Sequence, residues 1–392
     1  MLPLDCGQPF NPARNEEYFA ALPARPAVFL IEPKQSGAQP YLVRTADLRR
    51  RVERLLRAPA EPSKRLNLRE FAAGVRYRLT GSAFEQALVF YQHARELFPQ
   101  RYRDLARLRS PVLLKLNLRN EYPRCYVTRR VVGSGGFYFG PFPARKTAES
   151  FANEFLNLFK IRRCQIKIRR DPSFPGCIYS EMKMCLAPCF AGCSKPEYDV
   201  EVGRVTSFLA SAGASLTGEL EQEREAASGA LDFERAAAIH KKVDKVNGTL
   251  RGLPELVRKV DELDAVIAQP SAEEESVAIF AVWCGRIADP LYLRFGELAS
   301  QPRSVEQIVR DYLETPVAGQ PSRVAGHELE EHLSLLARWF YSKPRVGEIF
   351  FRERRWPYRR ILRACSRLLA PQPSLPLEQG KPEPPMDADR RR

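Results

Sequence analysis

Five of the nine cysteines lie within thirty residues, in the pattern Cys164-x12-Cys177-x7-Cys185-x3-Cys189-x3-Cys193. Thiols with three residues between them are about one helical turn or one loop apart, so two thiolates can reach the same metal. Such spacings are typical of zinc and of iron–sulfur sites. The spacing does not choose between the two metals, and buried cysteines without a metal are the alternative interpretation.

Positive charge is concentrated in one region. The net charge is +15, and residues 41–131 hold 21 Lys and Arg against 8 Asp and Glu. This excess indicates a polyanion-binding surface, with DNA or RNA as the partner. Within the region Arg124, Arg129 and Arg130 alternate with Tyr122 and Tyr126, a mixture suited to a nucleic-acid backbone. The alternative is a half-buried strand whose arginines are solvated.

The elements that position these residues follow from hydrophobic periodicity. Residues 1–20 are expected to be irregular. Strands are predicted over 27–32 and 40–44, and a basic helix over 46–57 has Leu48, Val52, Leu55 and Leu56 on one face. Further predictions are helices at 82–97, 144–159, 198–209, 216–228, 233–246, 305–313 and 329–340, and strands at 110–116 and 277–283.

Two features of the sequence concern membrane association and cellular compartment. No apolar run reaches the roughly 18 residues of a membrane helix, and no secretory signal opens the chain. We therefore expect a cytoplasmic protein without membrane partners and without disulfides. Residues 371–392 hold six prolines and end in three arginines, so this tail is expected to be disordered.

Three motifs carry a family resemblance. They are Tyr138-Phe139-Gly140-Pro141-Phe142, Met184-Cys185-Leu186-Ala187-Pro188-Cys189 and Leu231-Asp232-Phe233-Glu234-Arg235-Ala236-Ala237. Together they resemble the C subunit of the bacterial UvrABC excision-repair nuclease, closely over residues 20–250 and loosely over 255–345. The resemblance implies a 4Fe–4S cluster with Cys164, Cys177, Cys185 and Cys189 as ligands. Cys193 lies outside the pattern, and zinc remains the alternative metal.

The resemblance also implies a GIY-YIG nuclease domain near the N-terminus. Its first motif corresponds to Ala27-Val28-Phe29 and its second to Tyr41-Leu42-Val43-Arg44, while the helix arginine corresponds to Arg51. Phe29 replaces the tyrosine that acts as general base, and Phe90 replaces the glutamate that binds the divalent metal. Because a phenyl ring neither accepts a proton nor binds Mg²⁺, we expect this domain not to cut DNA. Tyr41, Arg44 and Arg51 would then be catalytic remnants.

The third motif resembles a UVR hairpin, the segment that docks on the helicase subunit UvrB. Phe233 would be the apolar anchor, with Glu234 and Arg235 as rim contacts. From periodicity alone, residues 216–246 are an ordinary charged helical hairpin.

The expected fold class is α/β. The expected domains are a degenerate GIY-YIG domain over 20–105, a cysteine-cluster region over 106–196, a UVR hairpin over 197–252 and an α/β remnant over 255–365. The RNase H-like and helix-hairpin-helix domains of full-length relatives are expected to be missing.

The preferred hypothesis is a nuclease-deficient, UvrC-like protein that binds UvrB and double-stranded or damaged DNA. One alternative is an active endonuclease that uses Mg²⁺ at Tyr41, Arg44, Arg51 and Glu85. The other is a zinc-stapled nucleic-acid adaptor outside repair.

Aromatic residues and arginines also gather near the C-terminal end, at Trp339, Phe340, Tyr341, Trp356 and Tyr358 and at Arg352, Arg354, Arg355, Arg359 and Arg360. A second nucleic-acid surface is one interpretation. Core aromatics beside a solvated basic face are the other.

Overall fold

The computed structural model describes residues 1–59, 65–132, 136–298, 302–314 and 326–369. Helices and three antiparallel sheets alternate along this part of the chain, which confirms a mixed α/β fold. No helix within the described ranges combines the length and apolar character that crossing a bilayer requires. The tail over 371–392, for which we predict disorder, lies outside the described residues.

The N-terminal sheet has the strand order β1-β4-β2-β3. Its elements are β1 (Cys6–Pro9), α1 (Asn15–Ala21), β2 (Ala27–Pro33), β3 (Tyr41–Thr45), α2 (Leu48–Leu56) and β4 (Ala72–Leu79). The predicted strand pair and basic helix are confirmed. The prediction of an irregular segment over 1–20 is wrong, because Phe10, Tyr18 and Phe19 are buried in the core of this unit and order β1 and α1.

Side chains of β2 alternate between two cores. Ala27, Phe29 and Ile31 pack with α1 and α2, while Val28 and Leu30 face the opposite way. On that second side lies α3 (Ala83–Leu97), followed by α4 (Tyr102–Leu105). Ser82 caps α3 by accepting a hydrogen bond from the backbone N–H of Glu85. The helix is therefore covered by the N-terminal sheet on one side.

The middle of the chain forms a second sheet with the order β6-β5-β7-β8 and a set of helices. The elements are β5 (Val112–Leu116), β6 (Cys125–Thr128), β7 (Phe137–Phe142), α5 (Arg145–Leu156), α6 (Ile178–Glu181), α7 (Lys195–Ala210), α8 (Ala214–Gly229), α9 (Phe233–Arg251) and β8 (Arg258–Lys259). Phe151, Phe155 and Phe208 stack in its core. A capping box of Ser194 and Glu197 fixes the start of α7 directly after the cysteine loop.

The C-terminal sheet has the order β11-β10-β9-β13, and β12 also pairs with β10. Its elements are β9 (Ala265–Pro270), β10 (Ser276–Trp283), β11 (Arg286–Ile287), β12 (Leu291–Arg294), α10 (Phe295–Leu298), α11 (Val305–Glu314), α12 (Gly326–Phe340), β13 (Glu348–Phe351) and α13 (Tyr358–Leu369). One face of this sheet packs on α11 and α13, and the other face joins α12 and α3 in a shared core. Thus α3 is buried between two sheets.

Candidate functional site

The four cysteines of the predicted ligand set lie in one loop between α5 and α7. Cys177 directly precedes α6, and Cys189 lies in a short 3-10 turn formed by Pro188–Phe190. Left-handed residues, Ala187 and Ala191, flank that turn and fold the chain back on itself. The backbone N–H of Ala187 donates to Sγ of Cys185 at 3.3 Å, an interaction that favours the thiolate.

The thiols of this loop act on one another electrostatically. Burial, and to a smaller extent the neighbouring Cys164, Cys189 and Cys177, raise the pKa of Cys185 to about 11. Cys189 has its pKa raised by burial and by Cys177 and Cys164. These effects indicate that the thiols lie near one another in the folded loop. A shared positive group or metal would relieve the repulsion between their thiolates.

A cation is already present beside the thiols. Nη1 of Arg162 lies 3.9 Å from Sγ of Cys164, and the same side chain donates to backbone carbonyls of Tyr122 and Ile166. Arg162 is buried, so its charge acts on the loop with little screening from water. The guanidinium therefore places a positive charge beside the Cys164 side chain.

Cys193 lies outside the proposed ligand set. It is buried against the core of the middle unit, and Glu197, Arg170 and Cys189 are the groups that act on it. Within the described ranges, no three His, Cys, Asp or Glu side chains are arranged to hold a single metal ion. The donor set itself, four thiols in one loop, fits the four-thiolate requirement of an iron–sulfur cluster.

The remnants of the nuclease motifs fall on both faces of the N-terminal sheet. Phe29 is fully buried in the core that contains α1 and α2, whereas Phe90 belongs to the core around α3. Nη2 of Arg51 lies 3.5 Å from the hydroxyl of Tyr41. The guanidinium of Arg44 stands over the Phe90 ring at 5.5 Å. The structure does not bring Phe29 and Phe90 together.

Glu85 is committed to contacts elsewhere. Its carboxylate accepts from the backbone N–H of Gly81 at 2.8 Å and from the hydroxyl of Tyr292 at 2.6 Å. Burial raises the pKa of Glu85. Because Tyr292 belongs to β12, this carboxylate points at the C-terminal sheet and holds it against α3.

The arginines predicted to contact DNA differ in their surroundings. Arg124 stacks on Tyr126, with its guanidinium 4.5 Å from the ring centroid, while Arg129 and Arg130 are exposed. Arg129 alone of the three lines a cleft between the N-terminal unit, the middle unit and α12. We call it the arginine cleft, after its six arginines, Arg44, Arg107, Arg109, Arg129, Arg145 and Arg338. Four of these were not predicted as site residues.

The helical hairpin of α8 and α9 presents exposed apolar side chains at its turn. Leu231 is 73% exposed and Phe233 67% exposed, whereas Ile239, Val243 and Val246 on α9 are buried. Asp232 accepts from the backbone N–H of Arg235 and so caps α9. An exposed phenyl ring beside a capped helix start is a suitable anchor for a partner protein.

The aromatic residues near the C-terminal end are mainly structural. Trp339 and Trp356 are buried, and Trp356 packs edge-on against Trp283. Guanidinium groups of Arg345 and Arg352 cover the faces of these rings. The core interpretation of this cluster is the one that the packing supports.

Comparison with known proteins places these features in context. Residues 112–208 match the family model described as the UvrC/Cho excinuclease middle domain. The UvrABC system protein C of Moorella thermoacetica is 26% identical over 86% of this chain and 54% of the relative. For that of Carboxydothermus hydrogenoformans the identity is 32% over 57% of this chain and 36% of the relative.

A third relative, the UvrABC system protein C of Dehalococcoides mccartyi, is 26% identical over 69% of this chain and 45% of its own length. The chain therefore spans about a third to a half of the curated relatives that it matches. No solved structure matches the chain.

Proposed function

Because this chain is UvrC-like, we propose that it acts in nucleotide excision repair as a DNA-binding protein that docks on a UvrB-like helicase subunit. The observation that carries the proposal is the middle-domain match over residues 112–208. That range contains strand β6 with its flanking Arg124, Arg129 and Arg130, and all four cysteines of the proposed ligand set. Its DNA partner would be double-stranded or damaged DNA.

Docking is assigned to the turn of the α8–α9 hairpin. Phe233 is the proposed anchor, since its ring is exposed and makes no contribution to the buried face of α9. Glu234 and Arg235 lie beside it on the first turn and are also exposed. At many protein interfaces a central aromatic residue contributes much of the binding free energy, and polar or charged residues surround it.

An iron–sulfur cluster is proposed at Cys164, Cys177, Cys185 and Cys189. The close thiols, the N–H donated to Cys185 and the Arg162 cation support an anionic thiolate-bound group there. When bound, such a group would cross-link a loop that has little regular structure of its own. The chain's own residues provide the charge balance and the backbone donors.

We further propose that the N-terminal unit does not cut DNA. Supporting this, Phe29 and Phe90 supply no oxygen and lie in separate cores. Glu85 is occupied by Gly81 and Tyr292, so it is not free to bind Mg²⁺ beside Tyr41. The basic surface of this unit remains available for binding.

Docking is tested by substituting Phe233→Ala and measuring affinity for a UvrB-like helicase subunit by titration calorimetry. We expect the affinity to fall at least about tenfold, because hot-spot aromatics contribute on the order of 2 kcal/mol. The stability of the chain should change by less than about 0.5 kcal/mol, because the ring is exposed.

Val200→Ala is the matched control, since Val200 is 66% exposed on α7, away from the hairpin turn. It should leave the affinity unchanged. Equal affinities for wild type and Phe233→Ala would remove the hairpin turn as the docking site.

A further inference from the structure

The arginine cleft is a concave site formed by separate parts of the chain. It has a volume of about 870 Å³. Arg44 comes from β3, Arg107 and Arg109 from the segment before β5, Arg129 from the end of β6, Arg145 from the start of α5 and Arg338 from α12. Residues distant in sequence thus place six cations around one space.

Positive charge in the cleft is not balanced by the protein. Among the described residues, its lining includes no Asp or Glu. Arg145 pairs with Glu149 at 2.7 Å, while the other five arginines form no ion pair with a described residue. Arg338 instead donates to the carbonyl of Ala106 at 3.0 Å, which holds its guanidinium at the cleft.

The arginines also act unfavourably on one another. Burial and the charge of Arg107 lower the pKa of Arg44. The pKa of Arg338 is lowered by burial and then by Arg44 and Arg109. Like charges held close together destabilise the empty site, and an anion would relieve that repulsion. Fixed, forked guanidinium groups are well suited to phosphate oxygens.

The shape of the cleft restricts the kind of anion. Its volume is within the range of small-ligand pockets, roughly 300–1,000 Å³, so a DNA duplex does not fit inside. The walls between the arginines include the apolar surfaces of Pro111, Val112 and Pro143 beside Ser110 and Ser334. Cations that follow a backbone, with apolar surface for the bases, are the features of single-strand binding sites.

We propose that the arginine cleft binds the phosphates of an unpaired DNA strand. This assignment rests on the proposed DNA-binding function and specifies where the strand lies. Arg44 lines the cleft and is held over the Phe90 ring, so the N-terminal unit supplies part of the proposed strand site. Sequence specificity is not expected, because the lining offers charge and apolar surface and phosphates carry no sequence information.

The test compares two triple variants by fluorescence anisotropy. The cleft variant carries Arg107→Gln, Arg109→Gln and Arg129→Gln, all at exposed side chains. The comparison variant carries Arg354→Gln, Arg355→Gln and Arg359→Gln, an equal loss of charge at exposed positions near the C-terminal end. The probes are a labelled oligothymidylate of about 12 nucleotides, which is within known single-strand site sizes, and a duplex of equal length.

We expect the cleft variant to bind the oligothymidylate at least about tenfold more weakly than wild type. The slope of log affinity against log salt concentration should become smaller in magnitude by about 2. Each of the three lost phosphate contacts accounts for about 0.7 of that slope. The comparison variant should keep its affinity within about twofold. Arg129→Glu, a single change, should reproduce the loss in part, and near-identical thermal unfolding would show that all variants are folded.

Three results would overturn the inference: unchanged single-strand affinity in the folded cleft variant, an equal loss in the comparison variant, or an equal loss for the duplex probe. The failure of the proposed function would look different. In that case the wild-type chain would bind neither probe, with or without the helicase subunit.

Discussion

At the scale of single residues, two phenylalanines carry the proposal that the N-terminal unit does not cut DNA. Phe29 and Phe90 are buried and pack as ordinary core residues. Phe90 lies under the Arg44 guanidinium, a cation–π contact that compensates part of the cost of a half-buried charge. The two rings therefore pack as structural residues here.

Replacing single thiols in the cysteine loop tests the proposed cluster. For protein purified without oxygen, each of Cys164→Ser, Cys177→Ser, Cys185→Ser and Cys189→Ser should lower the bound iron and acid-labile sulfide strongly. Cys193→Ser is the control and should retain both, because Cys193 lies outside the proposed ligand set and packs in the core of the middle unit. Elemental analysis is the measurement.

A colourless wild-type protein that contains one zinc would instead support the zinc interpretation. Iron loss in Cys193→Ser equal to that in the other four variants would contradict the assigned ligand set. Both outcomes are determined by elemental analysis and need no activity assay.

A buried histidine predicts a pH dependence of stability. Nδ1 of His332 accepts from the backbone N–H of Ile287 at 2.9 Å, and burial lowers its pKa from 6.5 to about 4. The charged groups that act on it are Glu328, Glu331, Arg95 and Arg286. The pKa of His332 is lower in the folded than in the unfolded chain. Its stabilising contribution to the free energy of unfolding is therefore full above pH 6.5 and is lost as the pH falls towards 4.

His332→Asn keeps an acceptor for Ile287 and removes the titration. Between pH 7 and pH 4.5 the wild type should lose about 2 kcal/mol of unfolding free energy relative to this variant. Urea unfolding at both pH values measures the difference. A difference that does not change with pH would contradict the assignment of a neutral, buried imidazole.

At the scale of elements, α3 is the helix through which the N-terminal and C-terminal sheets pack together. Phe84 packs edge-on against Phe280 of β10, with ring centroids 5.1 Å apart, and contacts Trp339 of α12. The hydrogen bond between Glu85 and Tyr292 reinforces the same junction. The N-terminal and C-terminal sheets should therefore stabilise each other through this helix.

Phe280→Ala should lower the unfolding free energy by about 3–5 kcal/mol, since it leaves a cavity beside α3 and α12. Phe280→Leu retains much of the apolar volume and should cost distinctly less. Urea unfolding followed by circular dichroism provides the measurement. A cost below about 1 kcal/mol for Phe280→Ala would show that this junction contributes little.

Periodicity in the sequence was sufficient for elements with one clear apolar face. The predicted helix over 46–57 is α2, and the predicted strand over 27–32 is β2. The helix α13 was missed, although Ile361, Ala364 and Cys365 follow helical spacing, because arginines and aromatics dominate that stretch. The contacts that set Glu85 against Tyr292 could not be predicted, since they join residues about two hundred positions apart.

At the scale of the whole molecule, the proposed DNA-binding cleft depends on tertiary structure. The sequence located the basic region over 41–131, but the arginine cleft also needs Arg145 and Arg338 from later elements. Tertiary folding brings these two residues close to Arg44 and Arg129, and local sequence patterns do not predict such long-range contacts. The thiol loop and the α8–α9 hairpin lie in the middle unit, so that unit carries both the proposed cluster and the proposed docking turn.

The most direct test of the account is incision of a damaged duplex. The anaerobically purified chain is incubated with Mg²⁺ or Mn²⁺ and a UvrB-like helicase subunit loaded on the DNA, beside a Tyr41→Phe, Arg51→Ala variant. We expect no cut from either protein, while the wild type still binds the helicase–DNA complex. An incision by the wild type that the double variant abolishes would contradict a non-cutting N-terminal unit.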